Sequence, residues 1–275
     1  MREMSVEDIQ SVSLDILRDI HQFCISHDIK YTLQGGTLLG AVRHKGFIPW
    51  DDDVDIAMPR PDYERFIHTY HSSKGYTVFS RELPQYTDNV YIAYARVCDM
   101  ENTWVDDSYY PWADVPKGVW IDLFPLDGDW DSEEKAKARL KIMTKLYDHT
   151  LRIRTSKKHF HEVSGLRNKM KLFFKKLYSL FVSYNILDKT IALCKELDYN
   201  ASNYYSNLSF LRYGIRERHR KAVLEETIIV PFGQDEFCIM AGYDEALKEK
   251  YGDYMILPPV NKQVRAHDCY NYFWK

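Results

Sequence analysis

Gln34-Gly35-Gly36-Thr37-Leu38-Leu39-Gly40 and, after Ala41 and Val42, Arg43-His44-Lys45-Gly46-Phe47-Ile48-Pro49-Trp50-Asp51-Asp52-Asp53-Val54-Asp55-Ile56 form the stretch from which the fold can be read. Tyr31 to Leu33 has strand character and runs into the glycine pair. Thr37 then suits the cap of a helix carrying Leu38, Leu39 and Val42. Beyond the loop from His44 to Asp51, the segment Asp53 to Met58 alternates polar and apolar residues, the period of a half-buried strand. That period puts Asp53 and Asp55 on one face.

Working outward, Ser5 and Asp8 have capping-box spacing, and Val12, Ile16, Ile20 and Phe23 recur at helical intervals up to His27 and Asp28. Downstream, Pro61 suits the first turn of a helix that presents Tyr63, Phe66 and Ile67. Further strands are predicted at Thr77 to Phe79, Val90 to Cys98 and Val119 to Phe124. Helices and strands interleaved in this way indicate a mixed α+β fold, a sheet flanked by helices. The character changes near Asp131: residues 135–176 hold 14 Lys or Arg and two acids, Asp148 and Glu162. Leu166, Met170, Phe173, Phe174, Leu177 and Leu180 keep the helical repeat there, which reads first as a core-packing helix with a solvated basic face. The second reading is contact with an anionic partner or with a membrane surface. The chain therefore divides into a catalytic core at 1–130, a basic helical subdomain at 131–215 and a C-terminal segment at 216–275 that completes the active-site side.

Composition narrows the function classes. A net charge of -3 gives no bulk attraction to nucleic acid. Cys24, Cys98, Cys194, Cys238 and Cys269 are odd in number and contain no CxxC pair, which argues against a disulfide framework or a zinc site and for a reducing compartment. The first residues lack a signal-peptide core, and no run reaches the roughly 18 apolar residues of a membrane span. A cytoplasmic enzyme is expected.

The chemistry concentrates in the opening stretch. Two carboxylates at i and i+2 of one strand can share a divalent cation, and Mg²⁺ (or Mn²⁺) favours a few carboxylates completed by water and phosphate oxygens. Gly35 and Gly36, between a strand and a helix, allow close backbone approach of an anion to a helix N-terminus. Arg43, His44 and Lys45 add positive charge in a loop able to close over a substrate. The bland alternatives are a calcium-binding or solvated acidic turn and a simple glycine turn. Against them, Asp51, Asp52, Asp53 and Asp55 repel one another unless a cation or basic partner offsets the charge. A third carboxylate, Asp122, sits within the apolar run Gly118 to Pro125, where burial demands a partner. It is a candidate metal ligand, outer support or general base for an acceptor hydroxyl. Its rival Asp127 reads as half of an Asp-Gly turn with Gly128.

The run Gly35 to Ile56 resembles the signature of the LicD proteins, whose relatives include the fukutin group. The resemblance continues through Trp120-Ile121-Asp122-Leu123-Phe124-Pro125-Leu126-Asp127 and closes with Tyr251-Gly252-Asp253-Tyr254-Met255-Ile256-Leu257-Pro258-Pro259. Only residues 131–215 carry no recognised motif. The resemblance implies a nucleotidyltransferase fold in which Asp53 and Asp55 are the metal-binding pair, Asp122 the third acid, and Gly35 and Gly36 the phosphate-contacting turn. Characterised members transfer phosphocholine from CDP-choline to a cell-surface glycan, and fukutin-like relatives transfer ribitol phosphate. The expectation is a Mg²⁺-dependent phosphotransferase with a CDP-alcohol donor and a glycan or lipid-linked sugar acceptor. Thr37 and Asp52 join the substrate-binding set, while Lys262, Arg265 and His267 contact the leaving nucleotide or acceptor, or are plain surface charge. Tyr109, Tyr110 and Trp112 are a candidate cation–π cage for choline, set against ordinary aromatic packing.

Three rivals remain in view. A DxD glycosyltransferase also uses Asp53-Val54-Asp55 but leaves Gly35-Gly36 unexplained, and a P-loop kinase lacks the required lysine and hydroxyl after Gly40. A noncatalytic nucleotide-binding module of the same fold predicts loss of a metal carboxylate, and all three are present.

Overall fold

The computed structural model describes residues 1–86, 92–106, 117–156, 163–181, 185–265 and 270–275. The chain opens with a two-residue strand β1 (Arg2–Glu3) and a long helix α1 (Val6–Ser26). The capping box is formed: Asp8 N–H donates to Ser5 Oγ and Ser5 N–H to an Asp8 carboxylate oxygen, both at 3.1 Å. The apolar positions of α1 are buried, including Ile16, Leu17 and Ile20 with no exposed surface. Next come β2 (Thr32–Leu33), α2 (Gly35–Arg43), β3 (Asp55–Pro59), α3 (Arg60–Thr69), β4 (Thr77–Phe79), β5 (Ala95–Asp99), β6 (Thr103–Asp106) and β7 (Val119–Asp129). The helical stretch is α4 (Glu133–Ser156), α5 (Leu166–Phe181) and α6 (Asn185–Cys194). The chain then returns to strands: β8 (Tyr204–Ser206), β9 (Arg218–Arg220), a short α7 (Ala222–Glu225), the hairpin β10 (Thr227–Phe232) and β11 (Asp235–Met240), α8 (Tyr243–Tyr251) and β12 (Asn271–Trp274).

The central sheet runs β2-β3-β7-β5-β4, with β8 paired to the far end of β7 and β9 to β8. Only β3 and β7 are parallel among these pairs, so the sheet is mixed and the α+β class holds. Helices α1 and α3 pack against β7 and its neighbours. One main apolar cluster draws in residues from Met4 to Tyr272, and a small second one joins Met143, Cys194 and Leu208 beside α4 and α6.

Four local expectations are revised. Thr37 is the third residue of α2 rather than its cap; Gln34 holds the cap position, and Thr37 Oγ1 accepts the Asp55 N–H at 2.9 Å. The alternating strand begins at Asp55, leaving Asp53 in the preceding loop. Asp127-Gly128 makes no turn: β7 continues to Asp129, because β8 supplies the backbone partners that a local reading cannot see. Asp127 is committed to a buried fork with Arg60 at 2.6 and 3.0 Å.

The fourth revision concerns α5. Its apolar face does not enter the core: Phe174 is 61% exposed and Leu180 78%. The helix meets α4 through its other side, with Leu172 buried and Tyr178 hydrogen-bonded to His149. Periodicity reports that a helix has an apolar face, not whether another element covers it.

Candidate active site

Registry assembles the site. Asp55 of β3 pairs with Asp122 of β7, and Asp122 pairs with Arg96 of β5, so the three residues form one row across adjacent strands. Cross-strand partners share a face of the pleated sheet. The opposite face of the same strands carries Ile56, Val97, Ile121 and Leu123, all fully buried, so the apolar residues anchor the sheet and the polar row looks out. Arg96 Nε donates to Asp122 Oδ1 at 2.6 Å while its guanidinium lies over the Trp120 ring, 4.2 Å from the centroid. The guanidinium fixes the orientation of the third carboxylate and satisfies the charge that its burial demanded.

The row forms the wall of a cavity of about 880 Å³, a volume suited to a small-molecule ligand. Asp51, Asp53, Asp55 and Asp122 all line it, with Gly35, Gly36 and Arg43. Carboxylate oxygens of Asp51, Asp52 and Asp53 lie within 4.8 Å of one another. Burial, together with the negative charges of Asp53, Asp122 and Asp51, holds the Asp55 carboxyl well above the usual carboxylate range, and Lys250 opposes this only in part.

The glycine pair has a role of its own. Gly35 adopts φ +58°, and a Cβ placed there would lie 2.8 Å from Asp55 Oδ2. A Cβ on Gly36 would lie 2.5 Å from Asp51 Oδ2. Both glycines thus leave room for the acids as well as presenting the N-terminal amides of α2 to the cavity. Behind them, Gln34 Nε2 donates to Glu217 Oε2 at 3.1 Å, and Glu217 Oε1 takes the buried Lys250 Nζ at 2.7 Å.

Other sequence candidates fall elsewhere. Arg43, on the cavity wall, is tied down by donating to the carbonyls of Tyr254 and Ile256 at 2.8 and 3.4 Å. His44 and Lys45 are not part of the cavity lining: His44 packs edge-on against Trp50, and burial with the neighbouring Arg43 charge keeps its imidazole below the ordinary value. The Lys45 carbonyl accepts the Gly233 N–H, which holds the loop against the β10–β11 turn. Asp52 is not among the cavity-lining residues and makes a 2.5 Å ion pair with Arg265, its side chain wholly buried, while one of its carboxylate oxygens stays within 4.8 Å of those of Asp51 and Asp53. This pair ties the C-terminal segment to the acidic loop. Lys262 is exposed and outside the lining. His267, Tyr109, Tyr110 and Trp112 lie outside the described residues.

Sequence reasoning missed Arg96, Asp51 as a cavity residue, and the Gln34–Glu217–Lys250 relay. An arginine on a predicted strand carries no local signal of the acid opposite it, since the pairing joins residues far apart in sequence. It also missed an aromatic wall of Tyr94, Phe124 and Phe210, whose ring centroids are 4.7 to 6.4 Å apart.

Residues 28–141, which carry the glycine turn and the cavity aspartates Asp51, Asp53, Asp55 and Asp122, match the family model LicD/FKTN/FKRP, nucleotidyltransferase domain. Across 97% of its length the chain is 31% identical to the lipopolysaccharide cholinephosphotransferase LicD of Haemophilus influenzae, and 97% of that protein is covered. The chain belongs to the LicD family. It is an enzyme that transfers phosphate-containing groups. There are also shorter likenesses: 43% identity over 65 residues to an uncharacterised protein of Rickettsia prowazekii, covering 23% of this chain and 24% of that one. The human ribitol 5-phosphate transferase FKRP is 57% identical over 30 residues, 11% of this chain and 6% of that protein. Among the described residues of this LicD-family chain, no helix is long and apolar enough to cross a membrane.

Proposed function

We propose that this protein transfers an alcohol phosphate, phosphocholine foremost, from a CDP-activated donor to a hydroxyl of a cell-surface glycan or its lipid-linked precursor, and that it depends on Mg²⁺. The observation that carries this reading is the convergence of Asp51, Asp53, Asp55 and Asp122 on one cavity wall beside the N-terminus of α2. Asp53 and Asp55, with Asp51 and Asp122 in reach, would hold the ion, and their crowding around the raised Asp55 carboxyl fits a cation-binding set. When bound there, a divalent ion neutralises the donor's diphosphate and makes the phosphorus more open to attack.

The chain's own groups do the rest. The amides of Gly35 and Gly36, at the positive end of α2, bind phosphate oxygens, and the missing side chains let those oxygens approach. Arg43 stabilises charge growing on the departing CMP. Asp122, its angle set by Arg96, takes the proton of the attacking hydroxyl. The rings of Tyr94, Phe124 and Phe210 offer apolar and π surface to a quaternary ammonium head, which supports choline as the alcohol.

The test is transfer from CDP-choline, other CDP-alcohols and UDP-sugars to lipopolysaccharide or a soluble oligosaccharide fragment, with products read by mass spectrometry. CDP-choline with Mg²⁺ should give a phosphocholine adduct that chelation abolishes. Asp53→Asn and Asp55→Asn should each reduce transfer at least about a thousandfold without loss of folding, since they relieve repulsion rather than open a cavity. Sugar transfer from a UDP donor would establish the glycosyltransferase reading instead, and full turnover in either variant would sink the metal assignment.

A further inference from the structure

We propose that α5 docks the protein onto an anionic lipid bilayer, lying in the interface with Leu166, Met170, Phe173, Phe174, Leu177 and Leu180 inserted among the lipids. All six are exposed, between 42% and 78%. At 3.6 residues per turn they fall within an arc of about 120°. A stripe so wide and apolar is costly to leave in water, and single exposed residues do not account for it.

Charge selects the occupant. The helix carries Arg167, Lys169, Lys171, Lys175 and Lys176 and no acid. On the helical wheel Arg167 and Lys171 border the stripe on one side, and Lys169 and Lys176 on the other. A cationic margin along both edges of an apolar face matches the anionic headgroups above an acyl layer. A second copy of the chain meeting the stripe about a twofold axis would bring these cations against themselves, which opposes self-association. A nucleic acid would use the charge but leave the leucine and phenylalanine side chains in water.

The position of α5 gives docking a use. It packs on α4, and the hydrogen bond between Tyr178 and His149 joins them next to Tyr147, Thr150 and Leu151, which line the cavity. Docking stands on the helix itself, whereas presentation of a lipid-linked acceptor to the cavity rests on the function proposed above.

The full chain should co-sediment with vesicles containing phosphatidylglycerol and not with pure phosphatidylcholine vesicles, and binding should weaken as salt is raised. Changing Phe173, Phe174 and Leu177 together to Ser should lower partitioning by at least about tenfold. Lys169→Glu with Lys171→Glu should weaken binding and flatten its salt dependence. These side chains are exposed, so circular dichroism should show each variant folded, and transfer to a soluble oligosaccharide acceptor should match that of the parent. Absence of vesicle binding, binding untouched by either set of changes, or a dimer that the serine variant turns into monomer would each overturn the docking. Loss of soluble-acceptor transfer in the parent chain itself would instead count against the function while leaving the docking result readable.

Discussion

Substituting Gly35 by Ala separates backbone strain from site geometry. At φ +58° an L-residue pays about 1–2 kcal/mol that glycine does not. For a chain of this size each kcal/mol lowers the melting temperature by about 2–4 °C, so the strain alone predicts a fall of several degrees. The new Cβ also meets Asp55 Oδ2 at 2.8 Å, and the carboxylate must move by several tenths of an ångström to restore contact distance. Misplacing a catalytic group on that scale, up to about 1 Å, costs on the order of a hundredfold in rate. Gly233 supplies the control: it has φ +67° with nothing within 4 Å of where a Cβ would stand, so Gly233→Ala carries the same strain without touching an acid. Calorimetry should give similar melting shifts for both variants. Transfer assays and Mn²⁺ titration followed by electron paramagnetic resonance should show loss in Gly35→Ala only. Equal transfer and equal Mn²⁺ affinity in the two variants would refute the idea that the glycine exists to admit Asp55.

Two further outcomes concern stability. Arg265→Ala removes the cationic partner of the fully buried Asp52 carboxylate and should cost about 3 kcal/mol in a urea titration, with much of the loss recovered when Asp52→Asn is added; an unchanged midpoint would show that the pair does not tie down the C-terminal segment. His219 is pushed down to about 4 by burial, with Lys250 adding to the shift. The unfolded chain takes up this proton below about pH 6.5, while the native chain refuses it until about pH 4, so the unfolded state binds more protons between those values. Stability should therefore fall as pH drops through that window, by at most about 1.4 kcal/mol per pH unit from this group, and be insensitive to it above. Urea midpoints of His219→Gln should show a shallower acid slope, and identical slopes would remove the assignment.

The run from Gln34 to Ile56 made the strand, glycine turn, helix and acidic loop legible because turn conformation and alternation are governed by contacts within a few residues, although the cap position falls on Gln34 and not Thr37. The capping box of α1 and the start of α3 at Arg60-Pro61 follow from equally local rules. What local rules cannot reach is pairing. Asp122 came into view as a costly buried acid, but its partner Arg96 and its place beside Asp55 depend on the registers of three strands. Asp127 shows the same limit from the other side, since β8 turned an apparent Asp-Gly turn into strand.

From its residues alone, this chain determined which groups carry charge, where helices and strands begin, and that acids and glycines stand close together along the chain. Tertiary structure decided which acids share a cavity, since Asp51, Asp53, Asp55 and Asp122 line it while Asp52 pairs with Arg265. It likewise decided that the apolar stripe of α5 faces outward. The reason is that hydrophobic periodicity and side-chain type are properties of a segment, whereas burial and coordination belong to the partner that the rest of the chain brings to it.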